Sequence, residues 1–258
     1  MSMKRELSRL AKRVSGRSDA KTTTEQGFPK VEGKSYVEVI SEINQHRNAA
    51  WYLEIGSRTG SSLAHMSCNF IAVDPEFKIE NPVMASAQMM HFFQTSSDDF
   101  FASNFLSRNE ITPDVAFVDG LHFFEYALRD FMNCEAAMRK DGVIAIHDVC
   151  PFGYDMATRD ISRTERSLPW TGDVWKLILV LLDLRPDLEL HMLNCRKTGL
   201  ALITSLDKNN RTLWDRYDEI LGTYAEMDFA TLTAEAYYNR FVLEDAEEFL
   251  EGFKRIGS

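Results

Sequence analysis

Between residues 51 and 147 the chain alternates short, mostly apolar runs with longer segments of helical periodicity. The runs are WYLEI (51–55), FIAV (70–73), MHFFQ (90–94), VAFV (115–118) and VIAIH (143–147). They are too short for buried helices and show no strict apolar–polar alternation, which fits strands covered on both faces of a parallel sheet. The intervening segments read as crossover helices, most clearly FEYALRDFMNCEAAMRK (124–140), which ends at Asp141-Gly142. Ahead of them, SYVEVISEINQH (35–46) sets Val37, Ile40 and Ile43 at helical spacing behind Ser35 as N-cap. Repeated βα units predict a doubly wound α/β fold.

The flanks read differently. Residues 1–34 form a polar, basic arm. Residues 150–175 carry little regular pattern and should hang over the sheet end as a loop, with Phe152, Tyr154, Trp170 and Trp175 as candidate pocket walls. DVWKLILVLLDL follows as a helix, its Lys176 at a solvated helix end, and LELHML and TGLALIT are spaced as a closing antiparallel pair. From residue 205 onward Leu213, Tyr217, Leu221, Tyr237, Phe241, Phe249 and Phe253 recur on helical faces. The expected division is therefore an arm (1–34), a binding domain (35–204) and an appended helical layer of that same domain (205–258).

Composition narrows the function. The 258 residues suffice for one large core. A net charge of −10, from 29 basic and 39 acidic residues, argues against general nucleic-acid binding, which draws on clustered Lys and Arg. The longest apolar run, LILVLL (177–182), falls far below the ~20 residues of a bilayer span, and the basic N-terminus lacks the apolar core of a secretory signal. Cys68, Cys134, Cys150 and Cys195 have neither zinc nor C-x-x-C spacing, so isolated thiols in a reducing, cytoplasmic setting are expected.

The chemistry concentrates in two places. The first is WYLEIGSRTGSSL (51–63), a strand running into a glycine turn and then, by expectation, a helix. A P-loop would need a longer glycine spacing followed by Lys, and a dinucleotide fingerprint would need glycine where Arg58 stands. Glu54, just before the turn, repels a pyrophosphate but suits a cationic amino group. The amino-acid end of S-adenosylmethionine (SAM) offers that ammonium, and its carboxylate can meet backbone N–H groups and the hydroxyls of Ser57, Ser61 and Ser62 at a helix N-terminus. Asp74 ends the next strand, eighteen residues after Gly56, where an acidic side chain takes both ribose hydroxyls. Ser97 and Asp98 follow the third run and are placed to meet the adenine edge. The cofactor-binding set is thus Glu54, Gly56, Ser57, Gly60, Ser62, Asp74, Ser97, Asp98 and, at the end of the fourth run, Asp119.

LEIGSRTGSSL, IAVDP, FVDGLHFFEYALRDF and GVIAIHDVCP together resemble the class I SAM-dependent methyltransferases. More narrowly, they resemble the small-molecule O-methyltransferases of the catechol type and the sugar-modifying relatives of antibiotic pathways. The likeness covers about residues 35–204. It implies a seven-stranded sheet, mostly parallel with one antiparallel strand.

The second place is the pair VAFVDGLH and VIAIHD, whose polar ends, Asp119, His122, His147 and Asp148, should cluster beyond the strands' carboxyl ends. Methylating an oxygen needs a base for its proton and a fixed in-line position. By the resemblance, His122 is the general base, with Asp119 beside it. Asp119, His147 and Asp148 match the positions of the metal ligands, with Mg²⁺ or Mn²⁺ as candidate ions. His147 stands where an oxygen ligand is usual, which either tilts the site towards Mn²⁺, Fe²⁺ or Zn²⁺ or leaves His147 off the ion. The expected activity is O-methylation of a small molecule or saccharide. A catalytically silent SAM-binding partner subunit and a nicotinamide-dependent oxidoreductase remain alternatives, and a second copy of the chain remains open as a partner.

Overall fold

The computed structural model describes residues 27–83, 89–164 and 169–256. In chain order the elements begin with β1 (Gly33–Ser35), α1 (Tyr36–His46), β2 (Trp51–Ile55), β3 (Asn69–Val73), β4 (Met90–Phe93), α2 (Ser97–Ala102) and α3 (Phe105–Arg108). They continue with β5 (Val115–Val118), α4 (Phe124–Ala137), β6 (Val143–His147), α5 (Trp175–Leu184), β7 (Glu189–Leu193), β8 (Cys195–Arg196) and β9 (Leu200–Thr204). The last are α6 (Thr212–Asp215), α7 (Tyr217–Tyr224), α8 (Phe229–Leu232), α9 (Ala234–Tyr238), β10 (Leu243–Glu244) and α10 (Ala246–Ile256).

Eight strands form one sheet in the order β10-β7-β9-β6-β5-β2-β3-β4, and β1 pairs with β8 in a separate ribbon. Within the large sheet only β9 runs antiparallel, against both β6 and β7. Successive strand residues point to opposite faces, and both faces are buried. Leu53, Ile55, Val118, Ile144 and Ile146 meet α4 and α5 on one side. Tyr52, Phe70, Phe117, Val143 and Ala145 meet α1 and α10 on the other. That double coverage is why the strand sequences lack a polar face.

Three local expectations change. The sheet has eight strands, not seven, because Leu243–Glu244 in the supposed helical tail joins its edge, parallel to β7. Two residues leave no readable period, yet Glu244 is fastened there by buried His191, 2.9 Å away. No α-helix follows the glycine turn: residues 56–68 hold only a 3₁₀ turn at Leu63–His65 before β3 begins. Lys176 is not solvated but 2% exposed, its ammonium 2.9 Å from Asp173 and 2.5 Å from the Ala225 carbonyl. Of the loop aromatics, Tyr154 and Trp175 pack with Phe28 and Phe229 in the core, and Phe152 packs against the same cluster. Most of the basic arm lies outside the described residues.

One buried ion pair locks the layer of α4 and α5. The Arg185 guanidinium binds Glu135 through two 2.6 Å bonds, and Glu135 also accepts from the Asp207 backbone N–H at 3.2 Å. Both side chains are almost fully buried. Removing Arg185 strands the Glu135 charge out of water, whereas Arg185 without Glu135 would still have Asp187 at 2.8 Å. Arg185→Ala should therefore lower the unfolding free energy by about 3–5 kcal/mol in urea titration, whereas Arg216→Ala, at an exposed pair, should leave it close to the parent's.

Candidate active site

In the sheet, β3 and β4 continue from β2 on one side, while β5 and β6 lie on the other. The crevice at that reversal, outside the carboxyl ends, is where open α/β sheets bind ligands. A cavity of about 800 Å³ opens there, within the usual ligand-pocket range of ~300–1,000 Å³. Its floor requires a glycine. At Gly56 (φ +92°) the chain leaves β2 so close to the next turn that a Cβ would overlap the Asp119 carbonyl oxygen.

The β2–β3 wall is acidic and internally bonded. Glu54, 1% exposed, accepts from Tyr52 Oη and Ser62 Oγ, each at 2.6 Å on the same oxygen. Burial pushes its carboxyl up to about 7, against the pull of those hydroxyls. Asp74 accepts the backbone N–H of Arg58 at 2.9 Å and of Glu76 at 2.7 Å, so it shapes the glycine turn as well as facing the cavity. Gly60 closes the turn by donating to the Ser57 carbonyl at 2.7 Å, and Ser57 Oγ lies 3.5 Å from the Glu54 carbonyl. Ser62 therefore serves Glu54 and not a helix terminus.

At the far end of this wall the structure separates Ser97 from Asp98. Ser97 lines the cavity, whereas the Asp98 carboxylate is taken by Arg129 at 2.8 and 2.9 Å. The acid that does line the cavity is Asp130, 2% exposed, with Oδ1 lacking a hydrogen-bond partner among the described residues. Burial raises it to about 7, opposed by a bond from Ser97. Its place in the second turn of α4 looks like an ordinary solvated helix position in sequence. Only the folding of α4 onto α2 turns it inward.

The β5–β6 wall gathers all four polar strand ends. His122 Nε2 lies 3.1 Å from Asp148 Oδ2 and 3.5 Å from Asp119 Oδ1, and His147 Nδ1 lies 3.3 Å from Asp119 Oδ1. The donor atoms of Asp119, His122 and Asp148 sit within 4.8 Å of one another, a spacing that can hold a metal ion. His147 is engaged on both sides, its Nε2 being 3.2 Å from Thr198 Oγ1 and its ring lying against Tyr36 at 4.0 Å with a 37° tilt. Asp148 sits at φ +59°, a left-handed conformation uncommon outside glycine.

Burial alone would lower the His122 imidazole, but Asp148, Asp119 and the Trp170 carbonyl outweigh it and raise it to about 9. Burial would raise Asp119, and the two histidines instead hold it well below the usual carboxylate range. The loop that hangs over this wall supplies a part the sequence did not announce. His122 Nδ1 is 2.7 Å from the Trp170 carbonyl, and Asp173, 1% exposed, accepts the Phe124 N–H that begins α4 at 2.7 Å. Gly172 (φ +56°) lets the two backbones touch, since a Cβ there would overlap the His122 carbonyl oxygen.

Residues 53–149, which span this cavity's strands and turns, match the family model described as "Methyltransferase domain". Over those residues the chain resembles a methyltransferase domain. No curated protein sequence matches it. Among solved structures, the O-methyltransferase TomG from Streptomyces achromogenes, in complex with SAM, is similar over 78% of this chain and 90% of its own, at 17% identity and a TM-score of 0.49. Cofactor-bound Rv0187 from MTB aligns over 80% and 91%, at 14% identity and a TM-score of 0.50. MycE of the mycinamycin pathway, with Mg and S-adenosylhomocysteine, aligns over 80% of this chain and 55% of its own, at 16% identity and 0.45. At these identities the likeness is one of fold. The methyltransferase match favours methyl transfer over the nicotinamide-dependent and silent-subunit readings.

The raised His122 value has a stability consequence with a definite sign. Its contribution is complete below the unfolded histidine value of ~6.5 and is lost as pH rises through about 9. In chelator-treated protein, urea titrations should show parent and His122→Gln furthest apart below pH 6.5, the gap closing towards pH 9.5. A gap independent of pH would mean that His122 is not held charged by its carboxylates.

Proposed function

We propose that the protein is a SAM-dependent O-methyltransferase acting on a hydroxyl of a small molecule or saccharide. What carries this reading is one cavity, in a methyltransferase domain, with an acidic glycine turn on one wall and a histidine between two carboxylates on the other.

On the cofactor wall, Glu54 faces the ammonium of the amino-acid end, with Gly56, Ser57 and Gly60 forming the turn beneath it and Ser62 holding Glu54 in place. Asp74 retains lone pairs for ribose hydroxyls beside its two backbone N–H bonds. Ser97 borders the base. Asp130, not Asp98, is the acid for the adenine edge: a carboxyl poised near neutrality can both donate to a ring nitrogen and accept from an amino group. Leu121, 48% exposed at the cavity, offers an apolar face. SAM supplies the methyl group as an electrophile already activated by its sulfonium.

On the reacting wall, His122 holds and moves the proton. Its Nδ1–H donates to the Trp170 carbonyl, which leaves Nε2 as the basic nitrogen facing the cavity. Asp119 and Asp148 offer the hard oxygen donors that Mg²⁺ or Mn²⁺ takes. A divalent ion held by them would lower the acceptor hydroxyl's pKa and anchor its oxygen, relieving the carboxylates of their hold on the His122 proton. His147, with both ring nitrogens already partnered, orients Asp119 from behind and is left off the ion. We read residues 35–204 as the binding domain and 205–258 as its added layer. Four free thiols, three of them buried, are consistent with a cytoplasmic setting.

S-adenosylhomocysteine at ~100 times its Kd should stabilise the protein by about 2.7 kcal/mol, read as a melting shift that NAD⁺ does not produce. Asp74→Ala and Asp130→Asn should shrink that shift. His122→Gln should keep it while losing ~10²–10⁴ in kcat on any accepted hydroxyl. A shift with NAD⁺ and none with S-adenosylhomocysteine would overturn the reading.

A further inference from the structure

We infer that the acceptor is an anion, bearing a carboxylate or phosphate group, and that Arg196 and Lys197 receive its charge. The inference rests on the methyl-transfer reading and deepens it.

Three observations converge on these residues. Both line the cavity and both are solvent-exposed, and neither side chain makes an ion pair or hydrogen bond among the described residues. Arg129, Arg159, Lys176 and Arg185, by contrast, are all committed to carboxylates. On a protein of net charge −10, two adjacent uncommitted cations beside the cavity's carboxylates give an approaching anion a local place of positive charge.

The segment is also held firmly. The Cys150 N–H donates to the Thr198 carbonyl at 2.7 Å, and Gly199 packs on Cys150 so closely that a Cβ would overlap its sulfur. Thr198 in turn meets His147 at 3.2 Å. The pair therefore keeps a fixed place beside the reacting groups.

Sheet order shows which ligand it serves. Across the carboxyl edge run β3 and β2 with the cofactor wall, then β5 and β6 with Asp119, His122 and Asp148, then β9. Because β9 is antiparallel, its start faces this edge: Leu200 pairs with His147, so the residues leading into β9 lie beyond the reacting groups. A ligand anchored there is separated from the cofactor wall by the atoms that would activate its hydroxyl, which is the acceptor's position. The cofactor's own carboxylate has a nearer cation in Arg58, on the glycine turn and also lining the cavity.

The test compares the full-length parent with the Arg196→Gln/Lys197→Gln double variant, and with each single variant. Each is loaded with S-adenosylhomocysteine and titrated at constant ionic strength with inorganic phosphate in one arm and benzoate in the other, by calorimetry and melting shift. The residues are exposed and unpaired, so the variants should melt with the parent when no anion is present. The parent should bind at least one of the two anions, phosphate pointing to a phosphorylated acceptor and benzoate to a carboxylated one. The double variant should bind it more weakly by about tenfold or more. Equal anion binding by parent and variant, or none by the parent, overturns the inference. So does weaker S-adenosylhomocysteine binding by the double variant, which would hand the pair to the cofactor. Failure of the parent itself to bind S-adenosylhomocysteine would strike the methyl-transfer reading beneath it, a result read in a separate titration.

Discussion

The site depends on how closely two neighbouring parallel strands leave the sheet. The Asp119 N–H donates to the Ile55 carbonyl at 2.9 Å, and the Gly56 N–H donates to the Val73 carbonyl at 2.8 Å. The ladder thus continues past the last strand residue, and the β2 and β5 turns are pressed together with no room for a side chain at Gly56. That contact sets the distance between the cofactor wall and the reacting wall. A separation made of backbone hydrogen bonds varies little, and methyl transfer rewards a fixed in-line geometry with ~7–11 kcal/mol of barrier.

Around that fixed point the charges are arranged to neutralise one another. Asp119, His122 and His147 would each suffer from burial alone, and the opposite charges beside them offset it. The cofactor wall manages its acid differently, with Glu54 held by two hydroxyls and no cation. A carboxyl so placed lies near its titration point and suits a ligand that brings its own positive charge. The cavity's polarity therefore changes along the sheet edge, from acid without a counter-ion, through balanced pairs, to the free cations before β9.

Much of this was legible in the sequence where the physics is local. Four apolar runs became β2, β3, β5 and β6 because a strand buried on both faces favours that composition, and a fifth became the edge strand β4, where Phe92 stays exposed. The polar residues ending them fell together because parallel strands align their ends. What was hidden depended on distant partners. Asp98 and Asp130 both sit on helices, and Arg129 takes the first while the folding of α4 onto α2 turns the second towards the cavity. Asp173 reads as the cap of its own helix, yet it begins α4, forty-nine residues earlier. The two-residue β10 has no periodicity to detect and exists because His191 holds Glu244. The absent helix after Gly60 misled for the opposite reason, since serines after a glycine turn are good helix starters by composition alone.

The loop over the site is fastened to the histidine proposed as the base. The Trp170 carbonyl takes the Nδ1 proton of His122, the Asp173 N–H returns to the His122 carbonyl at 3.1 Å, and Gly172 lets the strands of that clasp touch. Seating the loop and choosing the histidine's tautomer are therefore a single event. With the clasp undone, the imidazole would be free to present either nitrogen to the cavity. The position of the loop and the tautomer of the proposed base are governed by one latch.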